Sequence, residues 1–307
     1  MKKLTVSIAI PAYNEEANIG QLLKSLALQS TKTFTLKSIL VYSDGSTDKT
    51  HAIVKKIEAK NTLVKLKADG KQLGKYARLN QVFHECKTDL LLVLDADIAL
   101  VGNDFIEKLV ANMEKDAKAT LLVAHNVLLR PEGFIPKIIH TNFAMWDFIR
   151  WSIPQYQHAA NYYGSAVMYR GDFVRSINIP KKVADAHLYI YLASAKNNGF
   201  RYAREAEVLQ FCLTTIKDLI KFTHRSLGKK DIEIEKIFKV TTEDIYAFSI
   251  KDKINGLLKT VQTYPFHTPF ALLLGFYIGK IMPLQKMNKD VIWEITTSTK
   301  KPHSIKA

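Results

Sequence analysis

Residues 89–97 read DLLLVLDAD, an unbroken apolar run from Leu90 to Leu94 that ends in two carboxylates, Asp95 and Asp97, one residue apart. A run this short and this apolar, bounded by polar residues, reads as a strand buried on both faces. Side chains alternate along an extended chain, so at the strand exit Asp95 and Asp97 can point to the same side. An acidic pair in that place suits a hard divalent cation shared with substrate phosphates. The alternative is a solvated turn that caps the next helix.

Upstream, Val6 to Ile10, Ile39 to Tyr42 and Leu63 to Leu66 are three further short β-favouring runs. Between them lie segments with apolar residues at helical spacing: Glu15 to Gln29, a helix opening at Ser46 or Thr47, and Lys75 to Lys87. Such alternation predicts an α/β fold with a mostly parallel sheet flanked by helices on both faces. Ligands of these sheets bind beyond the carboxyl ends of the strands. Polar motifs fall there: PAYNEE at Pro11–Glu16, VYSDGSTD at Val41–Asp48, and the Asp95/Asp97 pair. Asp44 can accept hydrogen bonds from a base or ribose, while Ser46 and Thr47 read as helix caps. In LGKYARLN, Leu73–Asn80, backbone N–H groups at a helix start and the Lys75 ammonium can meet a diphosphate.

The composition agrees with an enzyme-sized globular chain. It has 307 residues, 47% hydrophobic and 24% charged, which excludes a disordered chain, collagen and a multi-span membrane protein. Against 29 Asp and Glu stand 44 Lys and Arg, a net charge of +15, and every third of the chain is net basic. A field of that sign suits nucleic acid, an anionic membrane or phosphorylated substrates. Cys86 and Cys212 are far apart with no metal-ligand spacing and read as reduced core thiols of a cytosolic compartment. The N-terminal MKKLTVSIAI reads as the first strand and not as a signal peptide, because it alternates and meets Pro11 and then acids.

The ordered series PAYNEE, VYSDGSTD, GKYARLN and LDAD resembles the nucleotide-binding half of a family 2 glycosyltransferase with the glycosyltransferase A-type fold. The resemblance is specific over residues 4–100 and continues to about residue 230. It implies a catalytic domain over 1–230, with a nucleotide-binding half at 1–100 and an acceptor half at 101–230, followed by a helical, membrane-associated extension at 231–307. It implies that Pro11, Ala12, Tyr13, Glu15 and Asp44 hold the nucleoside of a UDP- or GDP-sugar. It places Lys75 near the diphosphate, Asp95 near ribose and metal, and Asp97 as ligand to Mg²⁺ or Mn²⁺.

The same resemblance supplies the acceptor side. YYGSAVMYRGDF, Tyr162–Phe173, matches the family's acceptor segment, and Asp185 matches the base that deprotonates an acceptor hydroxyl in an inverting transfer. The usual preceding Glu is Ala184 here, and His187 replaces a common acid. Read from the residues alone, Asp185 is an N-cap for the helix starting at Ala186. In KFTHRSLGKK, Lys221–Lys230, Arg225 matches the arginine of a Gln-x-x-Arg-Trp motif, but Phe222 and Ser226 replace its ends, which disfavours a processive polymerase. His224 and Arg225 are candidates to close over the diphosphate, with His224 a further metal ligand.

No Asp, Glu, Lys or Arg occurs from Thr260 to Gly279, yet Pro265, His267 and Pro269 interrupt the stretch. It reads as an interfacial or re-entrant helix, or a buried one, extending through Leu284. Phe134 to Trp151, aromatic with Lys137 and Arg150 interleaved, is a second interfacial candidate. The expectation is a monomeric-sugar transfer to a glycan or lipid-linked acceptor of the cell envelope, by an enzyme peripheral to the cytoplasmic face of an anionic membrane. Two alternatives stand beside it: a polyprenyl-phosphate sugar synthase and a basic nucleic-acid-binding protein. Against the latter, no recognition motif or basic-aromatic alternation is present.

Overall fold

The short apolar runs at 6–10, 39–42, 64–66 and 90–94 lie in strands. In chain order the elements are β1 (Thr5–Ala12), α1 (Ile19–Ala27), β2 (Thr35–Ser43), α2 (Thr50–Glu58), β3 (Val64–Ala68), α3 (Lys75–Glu85), β4 (Leu90–Leu94), β5 (Ile98–Leu100) and α4 (Phe105–Lys115). There follow β6 (Leu121–Leu129), α5 (Phe134–Trp151), β7 (Ala166–Arg170), α6 (Gly171–Ser176), α7 (Ala186–Ala195) and β8 (Phe200–Phe211). The chain continues as α8 (Ile216–Ser226), α9 (Ile232–Phe238), α10 (Thr242–Ile245), α11 (Ile250–Thr263) and α12 (Thr268–Phe276). The computed structural model describes residues 3–226 and 231–278.

The described chain divides into two compact units, one built from residues 3–127 and 162–210, the other from 128–161, 211–226 and 231–278. The first holds the sheet, in the order β3-β2-β1-β4-β7-β6-β8-β5. Its first four strands are parallel, β1 pairing with β2 and β4, and β2 with β3. Beyond β4 the expectation of a mostly parallel sheet needs refining, because β7 runs antiparallel to both β4 and β6, and β5 antiparallel to β8. The sheet is mixed, and the antiparallel sense of β7 matters. Ala166 pairs with Leu94, so β7 begins where β4 ends. A parallel β7 would have begun at the opposite edge.

All five residues of β4 are buried, as are Ile8 and Ile10 of β1 and Val41 of β2. Against them pack Ile19, Leu22, Leu23 and Leu26 of α1 and Phe105, Ile106, Leu109 and Val110 of α4. Each such side chain removed from water contributes about 1.5–3 kcal/mol. α2 starts at Thr50 and not at Ser46 or Thr47. Those two residues are drawn to the neighbouring loop instead: the Asn14 N–H donates to Ser46 Oγ (3.1 Å), and the Thr47 N–H donates to Asn14 Oδ1 (2.8 Å). Cys86 and Cys212 are buried free thiols.

In the second unit the aromatic α5 packs against α11, α12 and α8. Ile139 of α5 joins Cys212, Leu213, Leu219 and Ile278 in a small core of its own, with Phe143 and Phe222 packed on it. Asp147 and Arg150, both buried, form an ion pair within α5. Among the described residues no helix is long and apolar enough to cross a membrane. The part of the interfacial candidate at 279–284 lies outside the described residues.

Candidate active site

The end of β1 carries Pro11 and Ala12, both buried, then half-buried Tyr13 and buried Glu15. Asn14 takes a left-handed turn (φ 53°), which redirects the chain into α1. The two adjoining loops are stitched together. The Glu15 N–H donates to Thr50 Oγ1 (2.8 Å), the Glu16 N–H to Asp48 Oδ2 (3.0 Å), and the Lys49 N–H to Glu16 Oε2 (3.0 Å). Rigid loops at strand ends are what a binding site requires.

Asp44, at the end of β2, is fully buried. Its N–H donates to the Ala12 carbonyl (2.8 Å). Its carboxylate accepts from the Leu73 N–H (2.7 Å), the Gly74 N–H (3.0 Å) and Arg78 Nε (3.0 Å). Arg78, only 2% exposed, also donates to Asp69, Gln81 and the Lys71 carbonyl. Its bonds to Asp69 and then to Asp44 hold the guanidinium charged. In this arrangement Asp44 anchors residues 73–74, which lead into α3. Sequence reading passed over Arg78. The signal was present: an arginine at 78 lies among Leu79, Val82 and Phe83 on the buried face of α3 and therefore demands a buried acid.

Lys75 opens α3, and its Nζ lies 2.7 Å from Asp95 Oδ1, both side chains being mostly buried. Ala96 and Ile98 are buried while Asp95 and Asp97 are half-buried, the alternation of an extended chain. The Asp95 N–H donates to the Ser165 carbonyl (2.8 Å), which ties the acidic pair to the Gly164-Ser165 turn preceding β7. Among the described residues no cluster of three or more His, Cys, Asp or Glu forms a ready metal cage. Two carboxylates without a cage fit Mg²⁺ or Mn²⁺, which keep much of their shell for phosphate oxygens and water. The side chains of His224 and Arg225, in the last turn of α8, lie outside the described residues.

Asp185 is the N-cap of α7, its Oδ1 accepting from the Leu188 N–H (3.0 Å). The Tyr162 hydroxyl bonds the Tyr169 hydroxyl, both rings buried. Burial pushes the Tyr162 phenol well above its ordinary range, Tyr169 adds to the shift, and the carboxylates of Asp185 and Asp95 push the same way. Asp185 and Asp95, 90 positions apart in sequence, thus act on one phenol. The Tyr162 ring also meets His187 edge-on (5.2 Å), and His187 meets Tyr76 (6.3 Å). Only a glycine fits beside this imidazole: a Cβ on Gly164 would lie 2.4 Å from His187 Nε2. Gly164→Ala should therefore displace His187, read as a shifted imidazole resonance in NMR with the fold's circular dichroism retained.

The glycosyl transferase family 2 model matches residues 7–176, more than half the chain. Two 4,4'-diaponeurosporenoate glycosyltransferases of Staphylococcus aureus, from strains RF122 and MRSA252, are 34% and 35% identical to it over 119 and 118 residues. Each match covers 38% of this chain and 30% of the relative, so the chain aligns with under a third of the length of these curated relatives. Among solved structures, a mannosyltransferase of Pyrobaculum calidifontis in complex with GDP-Man and Mn²⁺ superposes with a TM-score of 0.58 at 14% identity, over 92% of this chain and 78% of that one. Mannosyl-3-phosphoglycerate synthase of Rubrobacter xylanophilus gives 0.51 at 14% identity, over 72% and 71%. At such identities the likeness is one of fold. With its strand-end motifs in order and its mixed sheet of the glycosyltransferase A type, the chain belongs to glycosyl transferase family 2.

Proposed function

We propose that the protein is an inverting glycosyltransferase that moves one sugar from a UDP- or GDP-sugar to an acceptor hydroxyl. The observation that supports this reading is that the Lys75–Asp95 ion pair is tied to the 164–165 turn, next to Tyr162, whose ring meets His187 in the first turn of the helix that Asp185 caps. Residues 1–230 supply the catalytic domain, with donor binding in 1–100 and acceptor binding in 101–230, and 231–307 form an extension.

In this reading Pro11, Ala12, Tyr13, Glu15 and Asp44 hold the nucleoside, Asp44 also anchoring the 73–74 backbone beside it. Asp97 and Asp95 would hold Mg²⁺ or Mn²⁺, which, when bound, stabilises the charge growing on the departing diphosphate. Lys75 keeps an ammonium beside Asp95, where it offsets the same charge. Asp185 takes the proton of the acceptor hydroxyl at its carboxylate as that oxygen attacks. Arg225 and His224 are proposed to close over the diphosphate, His224 as an added ligand. The acceptor is proposed to be a glycan or lipid-linked molecule of the cell envelope, met at the cytoplasmic membrane face.

Isothermal titration with UDP and GDP, with and without Mn²⁺, tests the donor side. One diphosphate should bind more tightly with Mn²⁺, and Asp97→Ala should abolish that gain while leaving the metal-free affinity within about twofold. Metal-independent binding in the parent would sink the assignment.

One observation favours a second reading. Asp185 already serves as a helix cap, its Oδ1 taken by the Leu188 N–H, and a lipid phosphate acceptor is ionised and needs no base. A polyprenyl-phosphate sugar synthase would therefore tolerate loss of the Asp185 charge.

A further inference from the structure

α11 packs on α5 through its smallest residues. Gly256 lies so close to Ile149 that a Cβ there would sit 2.3 Å from its side chain, and buried Thr260 returns its hydroxyl to the Gly256 carbonyl (2.7 Å). That face is filled. On the opposite side, Ile250, Ile254, Leu258 and Val261 recur at i, i+4, i+8 and i+11 and are all exposed, Ile250 at 77%. This is a second apolar stripe on a helix whose packing needs are already met.

α12 repeats the pattern. Ala271 and Thr268 are buried, while Phe270, Leu273 and Phe276 are exposed, Leu273 at 67%, and Phe266 precedes them at 65%. Phe134 of α5 meets Phe270 edge-on (5.3 Å) and Phe266 (6.2 Å), extending the apolar surface. Soluble monomers rarely leave so many large apolar side chains together in water, and such a surface marks an interaction face.

Charge identifies the occupant. From Lys253 to Ile278 the sequence contains no Asp or Glu, and Lys251 and Lys253 are exposed on α11 beside the stripe, while Lys259 turns to the Phe148 ring of α5. Lysines flanking an apolar stripe match a bilayer surface: the ammonium groups meet lipid phosphates, and the Ile, Leu and Phe side chains enter the acyl boundary. Against a second copy of the chain, Lys251 and Lys253 would face their own counterparts, while Asp252, the one acid of α11, already accepts from the Ser249 and Ser152 hydroxyls.

We propose that the exposed faces of α11 and α12 form a monotopic docking surface that seats this protein on an anionic bilayer. The inference stands apart from the transferase chemistry, since it uses no residue of the candidate active site.

Vesicle flotation of the full chain tests it. The parent should float with vesicles of phosphatidylcholine and phosphatidylglycerol, less with phosphatidylcholine alone, and less at high salt. Leu258→Asp with Leu273→Asp, both at exposed positions, should lower the partition coefficient about tenfold per residue. Unchanged circular dichroism and nucleotide binding would certify the fold of that variant. Lys251→Gln with Lys253→Gln should remove most of the salt-dependent part. The proposal is overturned if the double aspartate variant floats as the parent does. It is equally overturned if the parent stays with the soluble fraction, whether as a dimer that the variant dissociates or as a monomer whose own residues 279–307 cover the face.

Discussion

Replacing Arg78 by methionine should lower the unfolding free energy by about 3–5 kcal/mol, the largest effect expected of any single substitution outside the apolar core. Arg78 is 2% exposed and Asp44 is fully buried, so water cannot solvate the carboxylate once its cationic partner is gone. The Leu73 and Gly74 N–H groups remain as donors, but they do not neutralise a buried charge. Methionine preserves most of the apolar stem, which confines the loss to the guanidinium. Asp69 is the pair's outer partner and is far more exposed, so Asp69→Asn should cost much less. Urea denaturation of the three proteins measures the difference. A loss under about 1 kcal/mol for Arg78→Met would mean that water reaches the pair, contrary to its burial.

Asp185→Asn should reduce turnover about 10²–10⁴-fold at unchanged nucleotide affinity, if Asp185 is the base. The substitution is chosen because an amide oxygen can still accept the Leu188 N–H, so the cap on α7 and the position of the side chain survive. What disappears is the negative charge and the ability to take a proton. Steady-state turnover on a hydroxyl acceptor, with titration of the nucleotide alongside, reads the two quantities separately. Full turnover in the variant would instead identify an acceptor that arrives ionised, the polyprenyl-phosphate reading.

Much of the nucleotide side was legible without coordinates. Leu90 to Leu94, Val6 to Ile10 and Ile39 to Tyr42 form strands, and helices fill the segments between them, because periodicity and turn residues act within a few positions of each other. The placement of Asp44, Lys75 and Asp95 at strand ends or helix starts follows from the same local rule. The partners of Asp44 did not. Its carboxylate is occupied by the 73–74 backbone and by Arg78, about thirty residues away, and nothing in D-G-S-T announces those partners. The 46–47 turn was likewise read as a helix start, since a capping hydroxyl and a hydroxyl tied to a neighbouring loop look alike in sequence.

The sequence by itself determined the family, the alternation of strands and helices and the order of the strand-end motifs, because each depends on residues that are neighbours along the chain. Only the tertiary structure decided that β7 enters antiparallel beside β4, bringing Ser165 to Asp95, and that the Tyr162 ring meets His187 of α7. It alone decided that the aromatic α5 buries much of itself under the C-terminal helices while α11 and α12 keep an apolar stripe in the open. Hydrophobic pattern states that a face must be covered. Which surface covers it is settled by contacts between distant segments, whose free energy exists only once the chain has closed on itself.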